Sequence, residues 1–143
     1  MFDENKSNSL FTKPISEASI QYLKNRNVVS VEYFEALRKG MFGILDENTI
    51  QIKGIPYAIN CILGESKDSI YDIRGTNDLY RLDPSVGTAF SVLYGDDYLA
   101  FKPNDERVYF RSLSSDEEVL VAESYDDFIN QIRMEDTNDE KSN

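Results

Sequence analysis

Between residues 88 and 122 four short runs, AFSVLY, YLAF, VYFRSL and EVLVA, are rich in β-branched and aromatic residues and are separated by GDD, KPNDER and SSDE. The separators carry the Gly, Pro, Asn, Asp and Ser of tight turns, and the runs have the composition of strands. Connections this short join antiparallel neighbours, so the spacing predicts a meander of consecutive antiparallel strands. A helix with a strong signal follows it. Ser124 is placed as N-cap with Asp127 at the third helical position, and Tyr125, Phe128, Ile129 and Ile132 recur at i, i+3, i+4 and i+7. The pattern predicts a helix over 125–133 with those four side chains on the sheet, and Asp126 and Asp127 suit the positive end of its dipole. Beyond Arg133, MEDTNDEKSN has no apolar periodicity and is expected to be a disordered acidic tail, residues 134–143.

The N-terminal half reads as helices followed by strands. Ser16 is a plausible N-cap with Ile15 and Ile20 in staple positions, and Ile20 with Leu23 forms a short apolar face. Ser30 repeats the device with Val29 and Phe34. Tyr33, Phe34 and Leu37 then make one stripe before Gly40, which predicts a second helix near 31–39. Residues 1–13 are polar with isolated apolar positions, and their four charges (Asp3, Glu4, Lys6, Lys13) cancel, so a flexible N-terminal arm is expected. From 41 to 64, Ile and Tyr punctuated by Gly43, Gly54, Pro56 and Gly64 suggest two or three strands. In TIQIK, Ile50 and Ile52 share a face; AINCIL suits either a central strand or a buried helical turn. Residues 65–87 are the least readable, with a helical turn expected around Ser69 to Ile73. The expected organisation is an arm over 1–13, one domain over 14–133 and a tail over 134–143. Its class is α+β, with a central, mostly antiparallel sheet, short N-terminal helices and a C-terminal helix packed against it.

Composition narrows the chemistry. The 143 residues are 41% hydrophobic and 12% aromatic, which suits a globular body. No apolar run approaches the roughly 20 residues of a membrane-spanning helix. The start, MFDENKSNSLF, lacks the basic head and apolar region of a secretory signal, so a cytoplasmic location is expected. With 26 acidic residues against 15 basic ones the net charge is -11. Such a field repels nucleic acid and anionic membrane alike and makes a basic protein the expected macromolecular partner. The chain has no histidine and one cysteine, Cys61, which removes Ser-His-Asp and Cys-His catalysis, an internal disulfide and a Cys-rich metal site. No Gly-rich phosphate cradle is present, and neither a cofactor nor a metal nor catalysis is expected.

Three constellations have simpler readings beside their chemical ones. Tyr94-Gly95-Asp96-Asp97 spells the metal-binding turn of palm-type polymerases, but a Gly-Asp turn between two strands explains the same letters. Paired carboxylates could serve glycoside hydrolysis, yet with 26 acids and no Trp nothing distinguishes one pair from another. Asp46-Glu47 and Asp116-Glu117-Glu118 fall at predicted turns and lack the calcium-loop pattern, so they read as solvated surface or as contacts to a cationic partner. Asp116, Glu117 and Glu118 are the first candidates for partner binding, as three like charges in one turn with no nearby Lys or Arg in the sequence. Asp96 and Asp97 come next, at the neighbouring hairpin. Cys61, inside an apolar run with no base beside it, reads as a buried structural thiol.

Three stretches also resemble a known family. Val29-Ser-Val-Glu-Tyr-Phe-Glu-Ala-Leu37, ending at Gly40, is similar to the Leu-Pro-x-x-Tyr helix leading to Asn-Gly in the SUKH superfamily, with Val29-Ser30 in place of Leu-Pro and Lys39-Gly40 in place of Asn-Gly. Tyr94-Gly-Asp-Asp-Tyr-Leu-Ala-Phe101, followed by Val108-Tyr109, resembles that family's Gly-Asp strand pair and Val-Tyr strand. Val121-Ala-Glu-Ser-Tyr-Asp-Asp-Phe-Ile129 looks like its closing Ala-x-Ser-Phe-x-x-Phe-Leu element. The superfamily includes yeast cell-wall-synthesis regulators and many bacterial immunity proteins. The resemblance, over about residues 15 to 133, implies an α+β domain and a non-enzymatic role: an immunity protein that neutralises a toxin domain, often a nuclease, or alternatively a regulatory scaffold for cellular proteins. A carboxylate-dependent hydrolase is the third reading. The resemblance carries over no contact residues, because such interfaces differ between toxin partners.

Overall fold

The computed structural model describes residues 2–45 and 47–134, the last two by backbone only. In chain order the elements are α1 (Glu4–Leu10), α2 (Glu17–Asn25), α3 (Val31–Arg38), β1 (Gly43–Ile44), β2 (Asn48–Ile52), β3 (Ile55–Ile62), α4 (Ile73–Leu79), β4 (Thr88–Leu93), β5 (Asp97–Phe101), β6 (Val108–Ser112), β7 (Glu118–Ala122), α5 (Tyr125–Gln131) and β8 (Arg133–Met134). The strands run in the order β7-β6-β5-β4-β3-β2-β8, with β1 pairing β3 off this path, and every pairing is antiparallel. This is the expected α+β class, and β4 to β7 form the expected meander. Its first turn uses Gly95 at φ +83, a left-handed conformation that glycine adopts without a Cβ penalty.

The sheet coils strongly. Tyr57 of β3 and Phe110 of β6 have ring centroids 5.0 Å apart, although β4 and β5 lie between those strands. On a flat sheet three strand spacings would separate them by about 14 Å. Right-handed strand twist, accumulated over the sheet, brings the β2–β3 hairpin back toward the β6–β7 hairpin.

Helices α3 and α5 close over the sheet through aromatic rings. Tyr33 lies 5.4 Å from Phe90, 5.5 Å from Phe101 and 5.3 Å from Tyr125, and its buried hydroxyl donates to the Leu63 carbonyl at 2.8 Å. Phe128 meets Phe90 edge-on at 5.6 Å. Tyr125 and Phe128 are buried as the helical spacing requires, with Ile129 and Ile132 half-buried at the margin. Each large ring withdrawn from water stabilises the fold by about 1.5 to 3 kcal/mol. Ser16, Ser30 and Ser124 cap their helices by accepting from Ser19, Tyr33 and Asp127 backbone N–H groups, as their positions suggested. AINCIL is strand: Ile59 and Cys61 point into the core, and burial pushes the Cys61 thiol up to about 12.

Three expectations are corrected. Residues 4–10 of the expected flexible arm are helix α1, capped by Asp3, and Phe2 bridges to Leu45. Ser7 accepts from the Ile44 N–H at 3.0 Å, and Phe11 is buried against Phe42 and Tyr71. The isolated apolar residues of this segment each meet a separate partner, so no local periodicity announces the packing. A Cβ at Gly43 would sit 2.3 Å from the Ser7 hydroxyl, and the absence of that atom allows α1 its close approach. Second, the helical turn expected around 69–73 stands later, as α4. Asp72 caps it by accepting from the Gly75 N–H, and Gly75 is needed because a Cβ there would meet the Ser69 carbonyl at 2.4 Å. Third, α5 ends at Gln131, and Arg133 and Met134 pair with Thr49 and Asn48 as strand β8. The first residue of the expected tail therefore belongs to the sheet; 135–143 lie outside the described residues.

The stretch 65–87 is tied down by two polar side chains. Buried Asn77 accepts from the Ala89 N–H at 2.8 Å and donates to the Ala89 carbonyl at 3.0 Å and the Ile73 carbonyl at 2.8 Å. Arg26, buried at the end of α2, donates to Thr88 Oγ1 and to the carbonyls of Leu82 and Gly87 at 2.8 to 2.9 Å. A buried guanidinium is tolerated because its N–H groups find acceptors.

Candidate protein-interaction site

The five acids singled out in the sequence converge on one end of the sheet. Asp97 opens β5 opposite Ser112, Glu118 opens β7 opposite Arg111, and the Asp96 carbonyl accepts from the Leu113 N–H at 2.9 Å. Their charge, however, is not free in the way local sequence suggests. Glu117 pairs with Lys53 at 3.2 Å, and Glu118 pairs with Lys102 at 2.6 Å and Arg111 at 3.7 Å. Lys53 comes from the β2–β3 turn, which the coil of the sheet brings near, Lys102 from the connection after β5, and Arg111 from β6, the strand paired with β7. Among the described residues, Asp96, Asp97 and Asp116 make no ion pair. The letters at 94–97 form a hairpin turn, and no three His, Cys, Asp or Glu side chains gather as metal ligands among the described residues.

A second acidic feature, absent from the sequence-level candidates, is an open groove of about 570 Å³ between the N-terminal segment, α3 and the start of α5. Phe2, Ala36, Met41, Tyr125 and Ile129 make its apolar surface, with Met41 left 52% exposed. Glu4, Glu32, Glu35 and Asp126 stand around it, and among the described residues lining it the one cation is Lys39, with Lys13 Nζ 5.8 Å from the Phe2 ring. The helix period places Glu32, Glu35 and Ala36 along the flank of α3 beside its buried Tyr33, Phe34 and Leu37 stripe. Docking of α5 through Tyr125 brings Asp126 to the same edge, where its backbone N–H donates to Glu32 Oε1 at 2.9 Å. Sequence spacing alone marks these acids as a solvated helix face. What turns them into a rim is the apposition of α1, α3 and α5, and the arm reading left Phe2 and Glu4 without a place.

A smaller hollow of about 210 Å³ beside α2 contains Glu65, but that carboxylate already accepts from the Ser16 and Ser19 hydroxyls, the latter at 2.7 Å. Arg74 lies over the Tyr22 ring there at 4.8 Å. These contacts close the hollow on itself, as a clasp between α2 and the segment leading to α4. Asp105, the acid most strongly perturbed, is likewise engaged: the Arg107 fork beside it holds its carboxyl down at about 2. No helix among the described residues is long and apolar enough to cross a membrane.

No protein-family model and no curated protein matches this chain.

Proposed function

We propose that the protein is a non-enzymatic immunity protein that binds a basic toxin domain and blocks its active site or its access to substrate. The observation that carries the reading is the acidic groove, whose apolar surface offers contact area and whose four carboxylates select a cationic partner. The net charge of -11 favours the same class of partner at long range. The resemblance of residues 15 to 133 to the SUKH superfamily supports it further. In this reading the two acidic regions have different tasks. Asp96, Asp97 and Asp116, with the partly neutralised Glu117 and Glu118, steer the approach, and the groove makes the lasting contacts.

The reading expects a gene immediately upstream to encode a large secreted protein with a variable C-terminal domain, and the test is co-expression in bacteria with that domain. Restored growth and a purified complex of the two chains are expected. Cell death undiminished by this protein, with no complex recovered, would overturn the reading.

A further inference from the structure

We infer that the groove between α3 and α5 receives an amphipathic helix of the partner, one that seats apolar side chains against Met41 and Ile129 and sets Lys or Arg against the acidic rim. This deepens the proposed function by naming the recognised element, and it rests on the reading of the chain as a partner-binding protein. Three observations converge on it. None of the residues lining the groove belongs to a strand of the sheet, so it offers no ladder to an extended strand. Recognition must then run through side chains projected from a preformed element. Its surface is apolar and partly uncovered, with Met41 more than half exposed; an unbranched thioether adapts to differently shaped side chains. Among the described residues lining it, the rim carries four carboxylates and one ammonium, Lys39, with Lys13 Nζ 5.8 Å from the Phe2 ring, so charge complementarity selects a basic occupant over a neutral or acidic one. The α3 wall, eight residues or about 12 Å long, matches roughly two turns of a bound helix and hence anchors at i, i+3 or i+4, and i+7.

The probe is a Leu/Lys peptide of about 18 residues, long enough to form a helix, with Leu at that spacing. A peptide of identical composition in scrambled order serves as control. Titration is followed by the ¹³C-methyl resonance of Met41, assigned through Met41→Leu. The ordered peptide should shift that resonance saturably and bind at least about tenfold more tightly than the scrambled one, a difference of about 1.4 kcal/mol. Glu35→Lys and Met41→Ser, both at exposed positions, should each weaken binding several-fold without moving the thermal midpoint, whereas Asp116→Lys at the far hairpin should change it less than about twofold. Equal affinity for the two peptides, or binding unchanged in Glu35→Lys and Met41→Ser, would overturn the inference. Because no toxin enters this titration, its failure leaves the co-expression test standing, and failure of co-expression leaves the groove's preference as measured.

Discussion

Glu32 Oε1 accepts a hydrogen bond from the backbone N–H of Asp126 at 2.9 Å, joining two helices whose residues lie 94 apart in the chain. That N–H is one of the donors a helix leaves unsatisfied in its first turn. Ser124 serves the next one, on Asp127, so α5 is capped once from its own sequence and once from α3. The pair also fixes the spacing of the groove walls. Glu32→Ala should cost about 1 kcal/mol, the usual loss for a cap, and should speed amide exchange at Asp126 more than at Asp127. Glu32→Gln keeps an acceptor and should restore most of the protection. Unchanged exchange at Asp126 in Glu32→Ala would show that the bond is not held in solution.

Asn77 acts on β4 as a neighbouring strand would, bonding both the N–H and the carbonyl of Ala89. Leucine at this position keeps the volume and removes all three bonds, leaving buried backbone groups unpaired at about 1 to 3 kcal/mol each. Asn77→Leu should lower stability by about 2 to 5 kcal/mol, read as a fall in the urea midpoint with little change in slope. A midpoint within error of wild type would mean that the 73–89 segment is held by packing alone.

Phe128 is fully buried, edge-on to Phe90 and 5.9 Å from Tyr125. Phe128→Ala removes a ring at the centre of the α5 contact and should cost about 3 to 5 kcal/mol, a large part of the stability of a domain this size. The urea midpoint is again the measurement, and an unchanged value would contradict the helix packing described.

Asp105 receives Arg107 Nε at 3.0 Å, Arg107 Nη2 at 3.0 Å and the Tyr109 hydroxyl at 2.8 Å. These donors favour the ionised form and lower its pKa from 3.8 to about 2, with the Arg107 side chain the largest cause. A depressed acid contributes stability that is fully present above its ordinary pKa and is lost as pH falls through its folded value. The contribution should therefore disappear between about pH 4 and pH 2, and in Arg107→Gln this loss should be smaller. A carboxyl ¹³C titration should show Asp105 moving up toward 3.8 in the variant; an unmoved midpoint would contradict the account.

What the sequence made legible was whatever depends on neighbours along the chain. The serine caps at 16, 30 and 124, the apolar stripe of α3 and α5 and the turns of the meander are all local, and they stand where spacing placed them. Helix α1 was missed because it is held by Ile44 at Ser7, and by Leu45 and Phe42 through the flanking Phe2 and Phe11, rather than by an amphipathic pattern of its own. Helix α4 was displaced because Gly75, a poor helix former, is required by the approach of Ser69. The same limit governs the site. Five acids could be nominated from their turns, but the pairing of Glu117 with Lys53 depends on the coil of the sheet, and the groove depends on three helices meeting. Neither is written in any window of a few residues.

The most direct measurement is the association of this protein with the proposed basic toxin domain, followed by surface-plasmon kinetics at low and high salt. The account predicts an association rate that falls steeply with salt. Reversal of Asp96, Asp97 and Asp116 to Lys should slow association with little change in dissociation, and Glu35→Lys combined with Met41→Ser should chiefly hasten dissociation. An association rate insensitive to salt, and unaltered by either set of substitutions, would contradict the claim that this acidic surface is built to bind a basic protein.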